Sequence, residues 1–319
     1  MEKLTKKLKD NIEGVKSVLS AKDILVYEFL TGDGTECAIV YTDGMVDKAL
    51  LGDLAARPLS KLTPENKEKG FTLEEVKQTL LFPELKEETQ LQNIFAEVLD
   101  GNSLLLVDGL ETGLIVGAKL LPTRAVMEPP TDIAVKGPRE GFIEDIKTNM
   151  ALLRKRLKTP DLKFELQKAG KRSQTNIAIC YLDGICDEKV KKEVAARIGE
   201  IDIDCIPDSS YVAAFIAPRK HSIFHEVGTT EKPDILAAKM AEGRVGILVD
   251  GSPIALTVPF ILTEDFQSSE DYFVSPFMAT IFRAIRFLAI LIALLLPAFY
   301  VTSQLFKMQL IPLGLMLNI

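Results

Sequence analysis

Four aspartates and two histidines are the residues of this chain whose types and spacing could do chemistry: Asp43, Asp108, Asp183, Asp250, His221 and His225. Paired carboxylates can divide general-acid and general-base work. Here each of the four directly precedes a glycine. Asp-Gly is a favoured turn pair, because Gly accepts φ > 0 and Asp bonds nearby backbone, so turn chemistry accounts for all four. His221 and His225 have the i, i+4 spacing with which a helix offers two imidazoles to a metal. The segment HSIFH lacks a glutamate beside its first histidine, and Pro218 and Gly228 frame it as loop, so no metal is expected. Phosphate-loop, dinucleotide-binding and nucleophile-elbow patterns are absent. VKGPREGF, Val135 to Phe142, could present helix-start amides to an anion. A plain helix start, with Arg139 and Glu140 solvated or paired, is the simpler reading. Cys37, Cys180, Cys186 and Cys205 lack metal-site spacing and read as reduced, mostly buried thiols. Neither a cofactor nor an enzyme is expected.

The elements that would position these residues come in two sets. CAIVYTDGMVDKALLGDL, Cys37 to Leu54, overlays IAICYLDGICDEKVKKEV, Ile177 to Val194, at an offset of 140 residues. Each is an apolar strand ending in Asp-Gly, followed by an aspartate, Asp47 or Asp187, placed to cap a helix. Farther on, Leu99 to Leu121 overlays Met240 to Leu262, each reading as two strands joined through Asp108-Gly109 or Asp250-Gly251. The expected fold class is α/β: two similar small α/β subdomains arising by internal duplication, at roughly 20–122 and 160–263, with strand candidates ILVYEFL and KFELQ ahead of them. An amphipathic helix leads the first, carrying Leu4, Leu8, Ile12, Val15 and Leu19 on one side.

Between the copies, Pro129-Pro130 stiffens the chain into an extended strap. From Phe142 to Leu157 apolar residues then recur at helical spacing, with acids early and bases late, the order that the helix dipole favours. A linker helix of roughly 18 residues is predicted, and the strap with its helix occupies 123–159. A juxtamembrane segment, 264–280, leads to a transmembrane helix over 281–306. Its core, FLAILIALLLPAFYVTSQLF, is 20 residues without a charge, long enough to span a bilayer. Arg283 and Arg286 place its leading end on the cytoplasmic side, in keeping with a start that reads as amphipathic helix rather than secretory signal. The last residues, 307–319, read as a second membrane segment cut short, as in a fragment. A net charge of −7 on 319 residues argues against a nucleic-acid partner.

The linker motifs carry a resemblance. Glu128 to Asp132, Gly137 to Glu144 and Thr148 to Arg156, continued by Gly243 to Pro259, Ser268 to Phe277 and the first membrane helix, resemble the GerA-type spore germinant receptor A-subunit family; the stage-five sporulation AF-type paralogues share the linker motif. The resemblance implies a membrane-anchored subunit of a nutrient receptor that helps trigger spore germination. It implies partners in a transporter-like B subunit and a lipoprotein C subunit, a homo-oligomer, and an ion-channel role. It also implies a place in the spore inner membrane, with the soluble region on the cytoplasmic, spore-core side. On this reading the soluble region is an assembly and signal-transmission platform, in which Arg139, Glu140, Arg154 and Arg156 reach across to a partner. The alternative is a sensor module holding a small metabolite in a cleft between the two copies.

Overall fold

The computed structural model describes residues 3–64, 70–120, 138, 140–219, 222, 225–266, 271 and 274–305. The expected strap, His221, Arg139 and the segment 307–319 lie outside the described residues. The described chain divides into one compact unit ending at Phe260 and a second beginning at Ile261.

The first unit contains two copies of one design. In the first, β1 (Ile24–Leu30), β2 (Glu36–Thr42), β3 (Leu85–Glu88), β4 (Ser103–Val107) and β5 (Gly113–Val116) form a five-stranded sheet in the order β1-β2-β4-β5-β3. In the second, β6 (Leu162–Ala169), β7 (Thr175–Leu182), β8 (Gly228–Thr230), β9 (Val245–Val249) and β10 (Ala255–Val258) repeat that order as β6-β7-β9-β10-β8. Neighbouring strands run antiparallel throughout.

Both faces of each sheet are covered, because side chains alternate along a strand and both alternating sets here are apolar. On one face of the first sheet, Ala38, Val40, Leu104 and Leu106 pack under helices α1 (Leu8–Val18) and α5 (Leu91–Leu99). On the other face, Cys37, Ile39, Leu105 and Val107 pack under α2 (Lys48–Leu51), α3 (Arg57–Leu59) and α4 (Leu73–Thr79). The second sheet buries Ala178, Cys180 and Leu182 under α6 (Ile146–Arg156) and α9 (Pro233–Ala241). Its opposite face buries Ile177, Ile179 and Ile247 under α7 (Glu188–Gly199) and α8 (Ser209–Ile216). Each copy is a three-layer sandwich.

Helix α6 is where the structure departs from the sequence reading. Expected as a linker helix of about 18 residues, it runs for 11, Ile146–Arg156, and it is the second copy's counterpart of α1. The two helices share a set of matching bonds. The Leu4 N–H donates to the Thr89 carbonyl as the Phe142 N–H donates to Glu231, and the Gly109 N–H donates to Lys6 as the Gly251 N–H donates to Glu144. Asn11 Oδ1 accepts from the Thr5 N–H while its amide donates back to the Thr5 carbonyl. Asn149 makes the same reciprocal pair with Ile143. The helix is short because residues 142–145 are held by these loop bonds rather than by helical ones, and Asp145 caps the start by accepting from the Thr148 N–H.

The copies differ in the helix after the second strand. Asp187 caps an uninterrupted α7, whereas Asp47 caps a run that breaks into α2, a π turn at Gly52–Ala56, and α3. Pro58 has no N–H to give to the carbonyl four residues back. That Leu54 carbonyl instead accepts from the Leu81 N–H.

In the second unit a 3-10 turn, Leu262–Phe266, precedes α10 (Pro276–Leu305). The helix expected over 281–306 begins earlier, at Pro276, because proline suits a first helical position, where no N–H is required. At 30 residues, with a mean hydropathy of 2.3 over an 18-residue stretch none of which is buried, it is long and apolar enough to cross a membrane. Pro297 lies inside it. Asp271 accepts from Arg283 at 3.2 Å and from Arg286 at 2.7 and 2.9 Å, so the two basic residues at the leading end share one carboxylate.

Candidate functional site at the seam between the repeats

The seam between the copies is made by α6 and the chain leading into β6 on one side, and by the turns at the ends of β1 and β2 on the other. Arg154 stands in the last turn of α6 and is fully buried; Asp23, just before β1, is 3% exposed. Arg154 Nε donates to Asp23 Oδ2 at 2.9 Å and Nη2 to Oδ1 at 3.0 Å, a two-point fork between guanidinium and carboxylate. Nη1 also donates to the Thr159 carbonyl at 2.8 Å and Nη2 to the Leu162 carbonyl at 3.0 Å. Phe164 lies under the guanidinium, 5.3 Å from ring centroid to Cζ. A buried charge is costly unless it is paired and its remaining donors are satisfied, and this arginine meets both conditions.

A second contact lies two helical turns away. Lys147 reaches Asp43 at 3.1 Å, and Lys48 reaches the same carboxylate at 2.6 Å. Burial acts to raise the Asp43 carboxyl, but the hydrogen bonds and charges of the two lysines outweigh it and hold the group below its ordinary value. Gly44 lies so close to α6 that a Cβ there would come 3.2 Å from the Ala151 Cβ and 3.2 Å from the Lys147 carbonyl. At the edge of the seam, Lys163 Nζ donates to Ser20 Oγ at 2.6 Å, and Lys158 pairs with Asp100.

The residues singled out from the sequence fall in separate places. Arg154 bonds to the other repeat of its own chain, and being fully buried it offers no surface to a different one. Glu140, by contrast, is half-buried on the second repeat, bonded to Lys155 at 2.7 Å and Arg156 at 2.9 Å. Its burial pushes the carboxyl up, and the two basic partners more than reverse that, leaving it below the usual carboxylate range. Pro138, Glu140, Lys155 and Arg156 together line a shallow surface recess. Arg139 lies outside the described residues.

Two of the four repeated Asp-Gly aspartates hold backbone. Asp108 accepts from the Leu8 N–H at the start of α1, and Asp250 from the Ile146 N–H at the start of α6. Gly44, Gly109, Gly184 and Gly251 all have positive φ, the conformation the turn reading requires. Among the described residues no group of three metal-ligating side chains gathers.

Asp23 is the residue that sequence reasoning missed. Its signal is present: sliding the chain by 138 residues sets Leu8 on Ile146, Asn11 on Asn149, Asp23 on Asp161 and Ile24 on Leu162. The Asp23 carbonyl accepts from the Asp43 N–H as the Asp161 carbonyl accepts from Asp183. A cavity of about 540 Å³ opens within the first repeat rather than at the Arg154 pair, lined by Tyr27, Phe29, Tyr41, Lys48, Asp53 and Arg57 among others.

Known proteins share this architecture. The crystal structure of the N-terminal domain of the A subunit of the Bacillus megaterium spore germinant receptor GerK3 superposes with a TM-score of 0.62 at 30% identity, covering 81% of this chain and 98% of that one. Spore germination protein KA of Bacillus subtilis is 35% identical over 314 residues, 98% of this chain and 57% of that protein. Stage V sporulation protein AF of Bacillus subtilis is 32% identical over 267 residues, 83% of this chain and 54% of that protein. The chain thus spans a little over half the length of these two relatives. A sequence model described as Bacillus/Clostridium GerA spore germination protein matches residues 10–319. With nearly its whole length matched, and with the duplicated sandwich shared with a solved receptor subunit domain, the chain belongs to the GerA family of spore germination proteins.

Proposed function

We propose that this chain is part of a membrane-anchored A subunit of a nutrient germinant receptor, and that its paired repeats are an assembly and signal-transmission platform rather than an enzyme. The observation that carries the reading is the Arg154–Asp23 pair, buried between the repeats and bonded at two points. A seam closed in this way moves the repeats as one body, so a displacement imposed on one surface is delivered to the other. The half-buried Glu140–Lys155–Arg156 cluster, with Arg139 beside it in sequence, is the surface offered to a neighbouring subunit. The partners on this reading are a transporter-like B subunit, a lipoprotein C subunit and further copies of the A subunit, which together gate an ion path. The site is the spore inner membrane, with the repeats on the cytoplasmic side. The germination-protein relatives and the apolar helix α10 support this placement.

The reading is tested in spores whose receptor carries Glu140→Lys with Arg156→Glu, or Asp23→Ala. Co-isolation of the B and C subunits and nutrient-triggered germination are followed. Loss of germination with the receptor still assembled by Asp23→Ala, and loss of assembly by the Glu140 variant, are the expected results. Normal assembly and germination in both variants would overturn it.

The second reading, a metabolite sensor, is favoured by the cavity in the first repeat, whose volume falls within the range of small-molecule sites. The ligand would then sit against Tyr27, Phe29 and Tyr41, not in a cleft between the copies. Specific thermal stabilisation of the full chain by one member of an amino-acid, sugar and nucleotide panel, abolished by Tyr41→Ala, is the result that would select this reading.

A further inference from the structure

Because the chain is a duplication, each repeat carries both halves of the seam, and only one copy of each half is in use. The α6 half of the second repeat presents Lys147, Ala151 and Arg154, and the turn half of the first repeat receives them on Asp43, Gly44 and Asp23. The 138-residue register identifies the unused helix half on α1: Lys9 stands for Lys147, Glu13 for Ala151 and Lys16 for Arg154. The strand-end register identifies the unused turn half: Asp183 and Gly184 stand for Asp43 and Gly44, while Asp161 stands for Asp23.

The used and unused halves differ in exposure. Ala151, Arg154 and Asp23 are buried, but Lys9, Glu13, Lys16, Asp161, Asp183 and Gly184 are all exposed. Where Gly44 is pressed against α6, a Cβ built on Gly184 would meet nothing within 4 Å. Ile185, next to it, is 54% exposed, whereas Met45 at the matching position is fully buried. The charges also remain complementary: lysines occupy both basic positions of the open helix half, and aspartates both acidic positions of the open turn half.

We propose that a second copy of this chain covers these halves: the Lys9–Lys16 face of α1 in one chain docks on the Asp161, Asp183–Gly184 face of the next, repeating between chains the seam that joins the repeats within one. The contact is head to tail, so it propagates from chain to chain and closes into a ring when the rotation permits. Two substitutions make it weaker than the internal seam. Lysine replaces the forked arginine, giving a point charge in place of a two-point fork. Glu13 replaces the close-packed Ala151, so α1 stands farther from Gly184 than α6 does from Gly44. A reversible contact between chains and a permanent one within each chain follow from the same geometry.

The proposal rests on the platform reading, and the test separates the two. The full chain in detergent is examined by sedimentation as wild type, as Lys16→Glu, as Asp161→Lys and as the two combined, with Lys9→Glu and Asp183→Lys as a second set. Placing like charges opposite each other disfavours association strongly. Each single reversal is therefore expected to raise the half-association concentration by about tenfold or more, and the combined exchange to restore it. All these residues are exposed, and Asp161 gives up only an exposed bond from the Thr159 hydroxyl, so circular dichroism is expected to be unchanged in every variant. Wild-type oligomers that persist unchanged in every single variant would overturn this interface and leave the platform reading standing. Single variants that dissociate without rescue by the exchange would overturn the Lys16–Asp161 pairing. A wild-type chain that stays monomeric at every concentration would overturn both.

Discussion

Asp23 and Arg154 stand 131 positions apart in the chain, yet both oxygens of the one are bonded to the guanidinium of the other in a site closed to solvent. Removing one member leaves the other charge buried without its partner. Asp23→Ala is therefore expected to destabilise the chain by about 3–5 kcal/mol. Replacing both, as Asp23→Leu with Arg154→Met, removes the two desolvation costs together with the attraction and should cost less than either single change. Denaturant titration of the solubilised chain checks the order of the three variants.

The reciprocal asparagines give a test of the repeat itself. Asn11 and Asn149 are both buried, and each closes a loop by bonding the N–H and carbonyl of the residue six positions before it. Substituting alanine leaves a donor and an acceptor of the backbone unsatisfied in each case, at about 1–3 kcal/mol. Asn11→Ala and Asn149→Ala should lower stability by similar amounts, because the two positions are structurally equivalent. Faster amide exchange is expected at Thr5 in the first variant and at Ile143 in the second.

Acid should loosen the two half-buried carboxylates that hold the basic residues of α6. Asp43 and Glu140 are both held below their ordinary values of 3.8 and 4.5, burial opposing the shift and their lysine and arginine partners imposing it. A carboxyl lowered on folding contributes stability that is present above its unfolded pKa and is lost as the pH falls through its folded pKa. The loss should begin near those ordinary values and continue below them. Stability measured against pH should fall less steeply in that acid range for Asp43→Asn and Glu140→Gln than for the wild type.

The thiols should react in order of exposure. Cys205 is exposed, Cys186 partly covered, and Cys37 and Cys180 buried. Burial pushes the Cys37 thiol up to about 12, with Asp33 and Asp108 adding to the shift, and burial likewise raises Cys180. The thiolate is the reactive species, so pulse alkylation read by mass spectrometry should label Cys205 first and Cys186 next. Cys37 and Cys180 should be labelled only when the chain unfolds.

Much of this fold is written locally. The Asp-Gly turns, the capping aspartates Asp47 and Asp187, and the buried stripe Leu4, Leu8, Ile12, Val15 and Leu19 are properties of short segments, and each stands where the sequence places it. Helix α6 was legible as a helix but not as a member of the second repeat. Its likeness to α1 rests on Asn149 and on spacing, while Lys16, Glu13 and Gly14 are replaced by Arg154, Ala151 and Leu152. Those replacements are what suit α6 to burial on two sides, so the feature that hides the repeat is the one that builds the seam. Asp23 was invisible for a different reason: an aspartate before a strand is common, and only its long-range partner sets it apart.

Two equivalent glycines should respond unequally to the same substitution, and the difference measures the seam directly. Gly44 and Gly184 have nearly the same backbone, with φ of 79° and 77°. A side chain in that region costs about 1–2 kcal/mol whatever surrounds it. At Gly184 nothing else opposes it, since no atom lies within 4 Å of the added Cβ. At Gly44 the methyl would also press on the Ala151 Cβ and the Lys147 carbonyl of α6, each 3.2 Å away, adding overpacking of about 1–3 kcal/mol. Gly44→Ala should therefore destabilise more than Gly184→Ala, and it should raise proteolytic access to the Arg154 end of α6, where the repeats are forced apart. Equal losses in the two variants would mean that the first repeat's turn and α6 are not in contact in solution.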